Sequence, residues 1–532
     1  MRKFIINRVV SSLLLIIFIF FSNISALAIH DDLKGGAILH AWCWSFKTIK
    51  DHIPDIKAAG YDAVQVSPPQ GSYKRKDCPK CKGDCKCLEQ NWFYFYQPTN
   101  FKIGNLLGTK EEFKEMCEAA EKCGVKVIVD IVANHVAEDL KLVSDDIKGI
   151  PNVFHDKKGL PENPNRFEMT QCDLLGLYDL NTGNSNVQEM IKNYMNNCVD
   201  CGAWGFRYDA AKHIELPEDK GCGSNFWPNI TKNAADKGAK WQYGEVLQDP
   251  NGIDVAKFKE YSKYMDVTAT EYGKKIRKAI TRYGGLDHND IMHYDSEDVK
   301  DDKLVTWVES HDNYANSKKF EGENASFELT DEQIKLGWAI VAGRAAGVPL
   351  FFSRPNSNLI SKIKAQDPFD KQYYDRIKFD DSLKFDNMGE NCALFKDPCI
   401  VAINKFRKFM KDEDEYLRNP DNNNNLFIIE RGTQNKTKYQ GAIIINQSRE
   451  SKIDSRTKLD VGKYIDILSG KTFIVKENVY DQEKRNGKPV DSGRNGLSGD
   501  AEGEIFILVN ESDAENLKQL FSQKQQGEYH FK

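Results

Sequence analysis

Apolar runs of strand length alternate with helix-like segments between about residues 35 and 370. The strand candidates are residues 36–44, 63–69, 125–135, 203–209, 240–245, 264–268, 304–309 and 348–353. The third run, VKVIVDIVANH, is almost continuously apolar, as strands buried in a parallel sheet must be. Eight such strands with helices between them predict an α/β fold, a (β/α)₈ TIM barrel.

Capping residues mark one of the intervening helices. Thr109 followed by Glu112 predicts a capping box, and Gly124 predicts the end of the same helix. Cys117 falls on one helical face with Phe113, Met116 and Ala120. We therefore interpret Cys117 as a core residue.

Two regions depart from the alternation of strands and helices. The segment after the third strand is rich in Asn, Asp, Pro and Gly and predicts a small inserted subdomain. After about residue 395, short runs such as NLFIIERG, YQGAIIINQS and GEIFILVN predict a C-terminal all-β sandwich. The expected divisions are a signal peptide (1–28), the first part of the barrel (29–135), the inserted subdomain (136–180), the second part of the barrel (181–394), the β-sandwich (395–511) and a polar tail, helical or loose (512–532).

The N-terminus predicts export. MRKFIINR is basic, VVSSLLLIIFIFF is an apolar core too short for a comfortable membrane span, and Ala26-Leu27-Ala28 fits a cleavage site. We expect cleavage after Ala28 and a secreted, extracellular protein without a membrane partner; the alternative is an uncleaved anchor. The 74 Lys and Arg residues do not exceed the 79 Asp and Glu residues, which argues against nucleic acid and fits a neutral polar substrate.

Four of the 13 cysteines are concentrated in CPKCKGDCKC, at Cys78, Cys81, Cys85 and Cys87. Their spacing is typical of a thiolate zinc knuckle, but an exported chain could equally form disulfides there. Neither alternative makes the cluster catalytic. Pairing of Cys198 with Cys201, or of Cys392 with Cys399, also stays open.

Carboxylates follow several of the predicted strands. Asp130, Asp209, Glu245 and Asp312 lie at or just beyond strand ends, so a barrel would bring them to one mouth. Two carboxylates that flank a bond are the requirement for glycoside cleavage. Arg207 shares a strand face with Asp209 and could keep it ionised, whereas the apolar setting of Glu245 favours a raised pKa.

Other residues near these ends suit a sugar. His135, His213 and His311 could hydrogen-bond hydroxyl groups. The segment NWFYFYQP (91–98) carries aromatic rings that could stack on pyranose faces, and Pro98 favours a loop over a regular strand.

Together these motifs resemble the α-amylase family of retaining glycoside hydrolases, and within it the short secreted bacterial α-amylases. DIVANH (130–135), GFRYDAAKH (205–213), YGEVL (243–247) and ESHDN (309–313) are similar to the four signature regions of that family, in the same order. The resemblance extends over roughly residues 35 to 510.

The resemblance implies a role for each site residue. Asp209 would be the nucleophile, Glu245 the general acid/base, and Asp312 a ligand of ring hydroxyls that favours the oxocarbenium-like state. Arg207 would keep Asp209 ionised, and Asp130 is left as structural support. In the central subsite His135 and His311 would hold hydroxyls and Tyr96 would stack on the sugar. The outer substrate contacts would be Trp92, Phe93, Gln97, Lys212, His213 and Asp249.

The resemblance also implies a structural Ca²⁺ bound by Asn134, Asp179 and the main-chain carbonyls of Thr170 and His213. Oxygen ligands from separate loops suit this ion; the alternative is that Asn134 and Asp179 are ordinary loop caps. Relatives that depend on chloride have Asn directly before the His-Asp pair, where this chain has Ser310. We therefore expect no activation by chloride.

The expected function is endo-hydrolysis of internal α-1,4-glucosidic bonds in starch, glycogen and related α-glucans. The reaction would retain configuration through a covalent glycosyl-aspartate, in a monomeric enzyme. One alternative is a maltooligosaccharide-specific hydrolase or transglycosylase of the same family. Another is a non-catalytic carbohydrate-binding relative, although such proteins usually lose members of the carboxylate set.

Overall fold

A computed structural model describes most of the chain. The described residues are 33–74, 91–156, 158–248, 255–282, 284–294, 298–315, 326–355, 392–434, 438–448, 452–477, 495–500 and 503–522. The predicted signal peptide, the Cys78–Cys87 cluster and Asp249 lie outside them. Within these ranges every helix is too short or too polar to cross a membrane.

The elements of the N-terminal part follow in chain order. The strands are β1 (Ile38–Ala41), β2 (Ala63–Val66), β3 (Gln70–Ser72), β4 (Pro98–Ile103), β5 (Lys126–Val132), β6 (His135–Val136), β7 (Tyr178–Asp179), β8 (Gly205–Asp209), β9 (Trp241–Gly244), β10 (Asp266–Thr268), β11 (Leu304–Trp307) and β12 (Val348–Phe352). The α-helices are α1 (Phe46–Ala58), α2 (Lys110–Lys122), α3 (Asp145–Lys148), α4 (Arg166–Gln171), α5 (Ser185–Asp200), α6 (Phe226–Lys237), α7 (Phe258–Tyr261), α8 (Thr270–Thr281), α9 (His288–Ile291), α10 (His311–Ala315) and α11 (Asp331–Gly343).

The C-terminal part begins with a helix and continues mainly as strands. Its elements are α12 (Pro398–Phe409), β13 (Glu415–Arg418), β14 (Leu426–Arg431), β15 (Gly441–Asn446), β16 (Lys452–Thr457), β17 (Gly462–Asp466), β18 (Thr472–Glu477), β19 (Asn495–Asp500), β20 (Ile505–Asn510) and α13 (Glu511–Ser522). Short 3₁₀ helices occur at Trp92–Tyr96, Leu174–Gly176, Ala211–His213, Asp301–Lys303, Leu394–Lys396 and Pro420–Asn422.

The eight predicted strands form a closed parallel barrel, which confirms the TIM-barrel prediction. Their order around the barrel is β1-β12-β11-β10-β9-β8-β5-β2. Ile38 pairs with Ala63 on one side and with Leu350 on the other, so β1 closes the ring. The interior is filled by apolar side chains from several strands, among them Ile128, Trp241 and Val305. The barrel is therefore a packed core whose open rim is left for chemistry.

Helix α2 begins and ends as its sequence predicts. The Thr109 side chain accepts a hydrogen bond from the Glu112 backbone, and the Glu112 carboxylate accepts one from Thr109 N. Gly124 follows the helix with φ of 63°, a conformation that glycine adopts without strain. Cys117 is buried on the same face as Phe113 and Met116, as predicted. Each cysteine within the described ranges is a free thiol.

Two insertions rise above the rim of the barrel. Between β2 and β5, strands β3 and β4 pair as an antiparallel hairpin, and the aromatic run before β4 forms the 3₁₀ helix Trp92–Tyr96. Between β5 and β8, the short strands β6 and β7 pair His135 with Asp179. This second insertion also contains α3 and α4.

The C-terminal strands form one antiparallel sheet, in the order β13-β14-β15-β20-β17-β18-β19-β16. The sheet curls so far that its first and last strands meet: Arg418 on β13 donates a hydrogen bond to Ser455 Oγ on β16 at 3.2 Å. Ile428 and Ile444 belong to the core inside the curl, whereas Ile429 and Ile443 pack with the core of the barrel. The predicted all-β domain is confirmed, and burial on both faces explains the continuously apolar runs LFII (426–429) in β14 and AIII (442–445) in β15.

Buried arginines join the two parts of the chain. Arg344 forms a forked ion pair with Glu415, with Nε and Nη2 at 3.0 and 2.9 Å from Oε1. Arg407 on α12 donates to the carbonyls of Gly36 and Gly347. Helix α12 therefore packs on the barrel, where Trp338 Nε1 also donates to Asn404 Oδ1 at 2.9 Å.

Candidate active site

One guanidinium group organises the carboxylates at the rim. Arg207 Nη1 lies 2.7 Å from Asp209 Oδ1 and 2.8 Å from Asp130 Oδ1, and Nη2 lies 3.0 Å from Glu245 Oε2. Asp130 and Arg207 are register partners in the adjacent strands β5 and β8, which brings them together. Asp130 is fully buried and touches Arg207 with both oxygens, so it braces the guanidinium.

The turn that follows β8 positions Glu245. Ala210 adopts a left-handed conformation, with φ of 47°, and its N–H donates to Glu245 Oε2 at 3.0 Å. The backbone N–H of Glu245 in turn donates to the Tyr208 carbonyl at 2.9 Å. The predicted nucleophile and the predicted acid/base are thus fixed against each other by neighbouring strands.

Burial raises the pKa values of Asp130, Asp209 and Glu245, and the positive charge of Arg207 opposes the rise in each. The side chains of Asp209 and Glu245 are still 10% and 14% exposed, so both can reach a ligand in the cleft. For Glu245 the negative charges of Asp209 and Asp312 add to the rise in pKa. A raised pKa suits a carboxyl group that must deliver a proton.

Asp312 and His311 lie on the short helix α10, just after β11. Asp312 is the most exposed of the three predicted catalytic carboxylates, at 37%, and its Oδ2 lies 3.6 Å from His311 Nε2. The Tyr96 ring stacks on His311 with centroids 4.9 Å apart and planes within 8°. The Tyr96 hydroxyl donates to Asp130 Oδ2 at 3.2 Å, so the aromatic segment and the carboxylate cluster are joined.

Two of the predicted histidine ligands lie in this cleft as neutral rings. Burial lowers the pKa values of His135 and His311 to about 4. His135 Nε2–H donates to the Tyr96 carbonyl at 3.0 Å, which orients its ring. Neutral imidazoles offer hydroxyl groups hydrogen bonds without placing a positive charge beside the nucleophile.

The other predicted substrate contacts are distributed more widely. Trp92 lies beside the stack, 6.2 Å from the His311 ring, and Phe93 lies 6.0 Å from Trp92. Gln97 follows the 3₁₀ helix and donates its backbone N–H to Tyr94. Lys212 Nζ donates to the Leu247 carbonyl at 3.4 Å. His213 donates from Nδ1 to the Met169 carbonyl at 3.0 Å, so that edge of its ring is turned toward the insertion.

The sequence interpretation missed His40 and Trp42, which lie at and just beyond the end of β1. The His40 ring packs edge-on against His311 at 5.6 Å, and Trp42 stacks near the same histidine at 6.3 Å. Both are buried, and His40 also lines a small cavity with Arg207 and Glu245. Their position at a barrel strand end was the available signal, but LHAWCW reads as an apolar run.

Residues 45–335 match the family model described as the catalytic domain of alpha amylase. The chain belongs to the α-amylase family. It is 35% identical to an α-amylase of Butyrivibrio fibrisolvens, over 92% of this chain and 48% of that protein. It is 36% identical to an α-amylase of Clostridium acetobutylicum, over 82% of this chain and 50% of that protein. The chain thus spans about half the length of these curated relatives.

Solved structures of α-amylases share the fold. An α-amylase I variant of Eisenia fetida, in complex with maltohexaose, superposes with a TM-score of 0.65 at 18% identity, over 89% of this chain and 97% of that one. The α-amylase of Geobacillus thermoleovorans, complexed with acarbose, gives a TM-score of 0.62 at 17% identity, over 90% and 99% of the two chains. At these identities the likeness concerns the architecture alone.

Two of the residues predicted to hold the Ca²⁺ of the α-amylase family, Asn134 and Asp179, contact each other. Asn134 Nδ2 donates to Asp179 Oδ1 at 3.0 Å, and His155 Nδ1 lies 2.6 Å from Asp179 Oδ2. Within the described ranges no three His, Cys, Asp or Glu side chains are grouped to hold a metal, so the predicted site depends on its amide and carbonyl oxygens.

A neighbouring carboxylate, Asp173, bears on whether a cation fits this site. Asp173 is buried, and its Oδ2 has no hydrogen-bond partner among the described residues. Burial raises the pKa of Asp179 to about 7 despite its contact with His155. The bond from His213 to Met169 brings α4, which contains Thr170, against the barrel, although Gln171 Nε2 donates to the Thr170 carbonyl at 2.7 Å. A buried carboxylate oxygen without a partner, such as Asp173 Oδ2, suits a hard cation, whereas both Asp179 oxygens and the Thr170 carbonyl already accept hydrogen bonds.

Proposed function

We propose that the chain hydrolyses internal α-1,4-glucosidic bonds of starch, glycogen and related α-glucans, with retention of configuration. One observation carries this proposal: Arg207 contacts Asp209 and Glu245 from its two terminal nitrogens. Retaining glycosidases keep their two carboxyl groups roughly 5–5.5 Å apart, and contact with one guanidinium favours such a short separation.

In the proposed reaction Asp209 attacks the anomeric carbon while Glu245 protonates the departing glycosidic oxygen. The bond from that carbon to the oxygen breaks and a glycosyl-aspartate forms. Glu245, now ionised, takes a proton from water, and the water oxygen displaces Asp209 from the anomeric carbon. Two inversions give net retention. Asp312 binds ring hydroxyls and favours the oxocarbenium-like state between these steps.

An α-glucan fits the remaining surfaces of the cleft. The rings of Tyr96 and Trp92 offer apolar faces to pyranose rings, and the neutral His135 and His311 offer hydrogen bonds to hydroxyls. Solved structures with the same architecture are complexes with maltohexaose or acarbose, which supports a saccharide as ligand here.

Incubation with soluble starch, with chromatography and NMR of the first products, tests this proposal. We expect a spread of maltooligosaccharides released as the α-anomer. Asp209→Asn should lower the rate by several orders of magnitude while circular dichroism and the thermal midpoint stay close to those of the wild type. Normal hydrolysis by Asp209→Asn, or β-anomeric products, would overturn the mechanism. Products longer than a defined maltooligosaccharide substrate would indicate transglycosylation instead.

We also propose that Asn134, Asp179 and the carbonyls of Thr170 and His213 bind a structural Ca²⁺. The ion would join the insertion after β5 to the barrel, without a step in the reaction. EDTA should therefore lower the thermal midpoint and added Ca²⁺ should restore it. Asp179→Asn, which removes the charge at constant shape, should abolish the response. An unchanged midpoint in EDTA would contradict the site.

We also propose that the protein is secreted and monomeric; the basic and apolar N-terminus supports export with cleavage after Ala28. N-terminal sequencing of protein from culture medium should begin at Ile29, and light scattering should give the mass of one chain. An N-terminus at Met1 in a membrane fraction would support the uncleaved anchor.

A further inference from the structure

A buried ion pair between Arg354 and Glu309 adjoins the segment that contains Asp312. Arg354 follows β12 and Glu309 follows β11, and the two residues are 3% and 2% exposed. Arg354 Nε donates to Glu309 Oε1 at 2.6 Å and Nη2 donates to Oε2 at 2.7 Å. This forked contact fixes both the distance and the direction of the Glu309 carboxylate.

The remaining donors of Arg354 hold a second segment in place. Nη1 donates to the Leu329 carbonyl at 2.7 Å, and Nη2 also donates to the Ser326 carbonyl at 2.6 Å. The Arg354 carbonyl accepts a hydrogen bond from Cys392 Sγ at 2.9 Å. One side chain thus joins chain segments that follow β11, precede α11 and follow β12.

Arg354 contacts both ends of the segment that contains His311 and Asp312. Glu309 precedes these two residues, and Tyr314 follows them with its ring 5.2 Å from the Arg354 guanidinium carbon. Between these ends, the backbone N–H and the hydroxyl of Ser310 donate to Asn313 Oδ1 at 3.2 and 3.1 Å. The segment is thus closed on itself and contacts Arg354 at both ends, which ties the position of Asp312 to that of the guanidinium.

We propose that Arg354 and Glu309 are positioning residues that fix Asp312 and His311 for the transition state. A buried ion pair gives little net stability once its desolvation is counted, so geometry is the better reason for its presence. This inference rests on the proposed function, because it assigns the pair to the same reaction.

The test compares kcat and KM for maltoheptaose in the full-length protein. Arg354→Met should lower kcat about 100-fold, the scale of a 1 Å misplacement at a reacting centre, with little change in KM. Arg354→Lys, which keeps the charge but not the fork, should recover part of that loss. The kcat of Glu309→Gln should lie between those of Arg354→Met and Arg354→Lys, because glutamine keeps the shape of the side chain and one hydrogen-bond acceptor.

A remote pair of the same chemistry provides the matched control. Arg418 and Glu430 are buried in the curled sheet, with Nη2 and Oε1 2.8 Å apart. Arg418→Met should lower the urea midpoint much as Arg354→Met does, yet leave kcat unchanged. If Arg354→Met and Arg418→Met lost kcat equally, general destabilisation would explain the effect of Arg354→Met, and the inference would be overturned.

A double variant tests whether Arg354 acts through Asp312. In an Asp312→Asn background, Arg354→Met should lower kcat by much less than it does alone, because one of the two groups that it positions is already gone. A full additional loss there, or an Arg354→Met single variant with wild-type kcat, would overturn the inference. If Arg354→Met does not fold, Glu309→Gln replaces it in the same comparison. Absence of starch hydrolysis by the wild type would instead overturn the proposed function.

Discussion

Arg207 brings one positive charge to three buried carboxyl groups. Asp130, Asp209 and Glu245 all contact its guanidinium, so complete ionisation would leave an excess of negative charge in a site with little water. The cluster therefore holds a proton more tightly than isolated carboxyl groups do. Asp130 is occupied by Arg207 and Tyr96, whereas the Glu245 side chain is partly exposed to the cleft, which agrees with the proton-delivering role proposed for it.

Glu245→Gln should separate proton delivery from nucleophilic attack. Loss of general-acid catalysis should slow starch hydrolysis by about 10²–10⁴-fold. Maltosyl fluoride, whose leaving group needs no proton, should still form the glycosyl-enzyme at a much less reduced rate. Stopped-flow detection of fluoride measures this step. Asp209→Asn is the control and should lose activity on both starch and maltosyl fluoride. If Glu245→Gln lowered the rates on the two substrates equally, the acid role would be contradicted.

The sequence predicted the candidate site residues from their positions at strand ends, because the carboxyl ends of all barrel strands meet at one rim. It located the three carboxylates and Arg207, which the structure brings together. It did not predict that Asp130 braces Arg207, because that contact depends on the register between β5 and β8. Nor did it predict the direction of His213, whose Nδ1 is bound to a carbonyl of α4.

At the scale of elements, hydrophobic periodicity and capping residues predicted the barrel strands and helix α2. All eight barrel strands and helix α2 lie within about four residues of their predicted limits. The aromatic run is different: Trp92–Tyr96 winds into a 3₁₀ helix because its rings pack against partners distant in sequence, such as Trp42 and His311. Local pattern carries no information about such partners.

The capping box of α2 offers a test at this scale. Thr109→Ala removes the acceptor for Glu112 N and leaves an unpaired helical N–H, so the free energy of unfolding should fall by about 1 kcal/mol. Thr109→Ser keeps the hydroxyl and should change it little. Urea denaturation of both variants measures the difference; equal stability of Thr109→Ala and wild type would show that water satisfies this helix end.

At the scale of the whole molecule, the barrel and the curled sheet share one core. Ile429 and Ile443 pack with residues of the barrel, and the ion pair of Arg344 and Glu415 lies at the boundary. The sequence predicted both parts but not their junction, because the partners are 71 residues apart and neither carries a local signal. Burial would raise the pKa of Glu415, but Arg344 overrides it and holds that pKa below its usual 4.5.

This lowered pKa makes the junction sensitive to acid. A depressed carboxyl pKa contributes stability above the unfolded value of 4.5, and that contribution disappears as the pH falls through the folded value. Glu415→Gln leaves Arg344 without its counter-charge and should cost about 3–5 kcal/mol at neutral pH. Urea midpoints of both proteins should converge below pH 4.5. A gap that stays constant across this range would contradict the linkage.

The pairing of β1 with β12 sets an order in time for biosynthesis. Ile38 must wait for Leu350 before the ring can close, and so must β11, which also pairs with β12, whereas the strands from β2 to β10 can reach both of their neighbours earlier. Joining segments so distant along the chain is entropically slow. During synthesis the first strand therefore has an unpaired edge until the eighth has emerged, and this edge is where a nascent chain is most exposed to aggregation or to a chaperone.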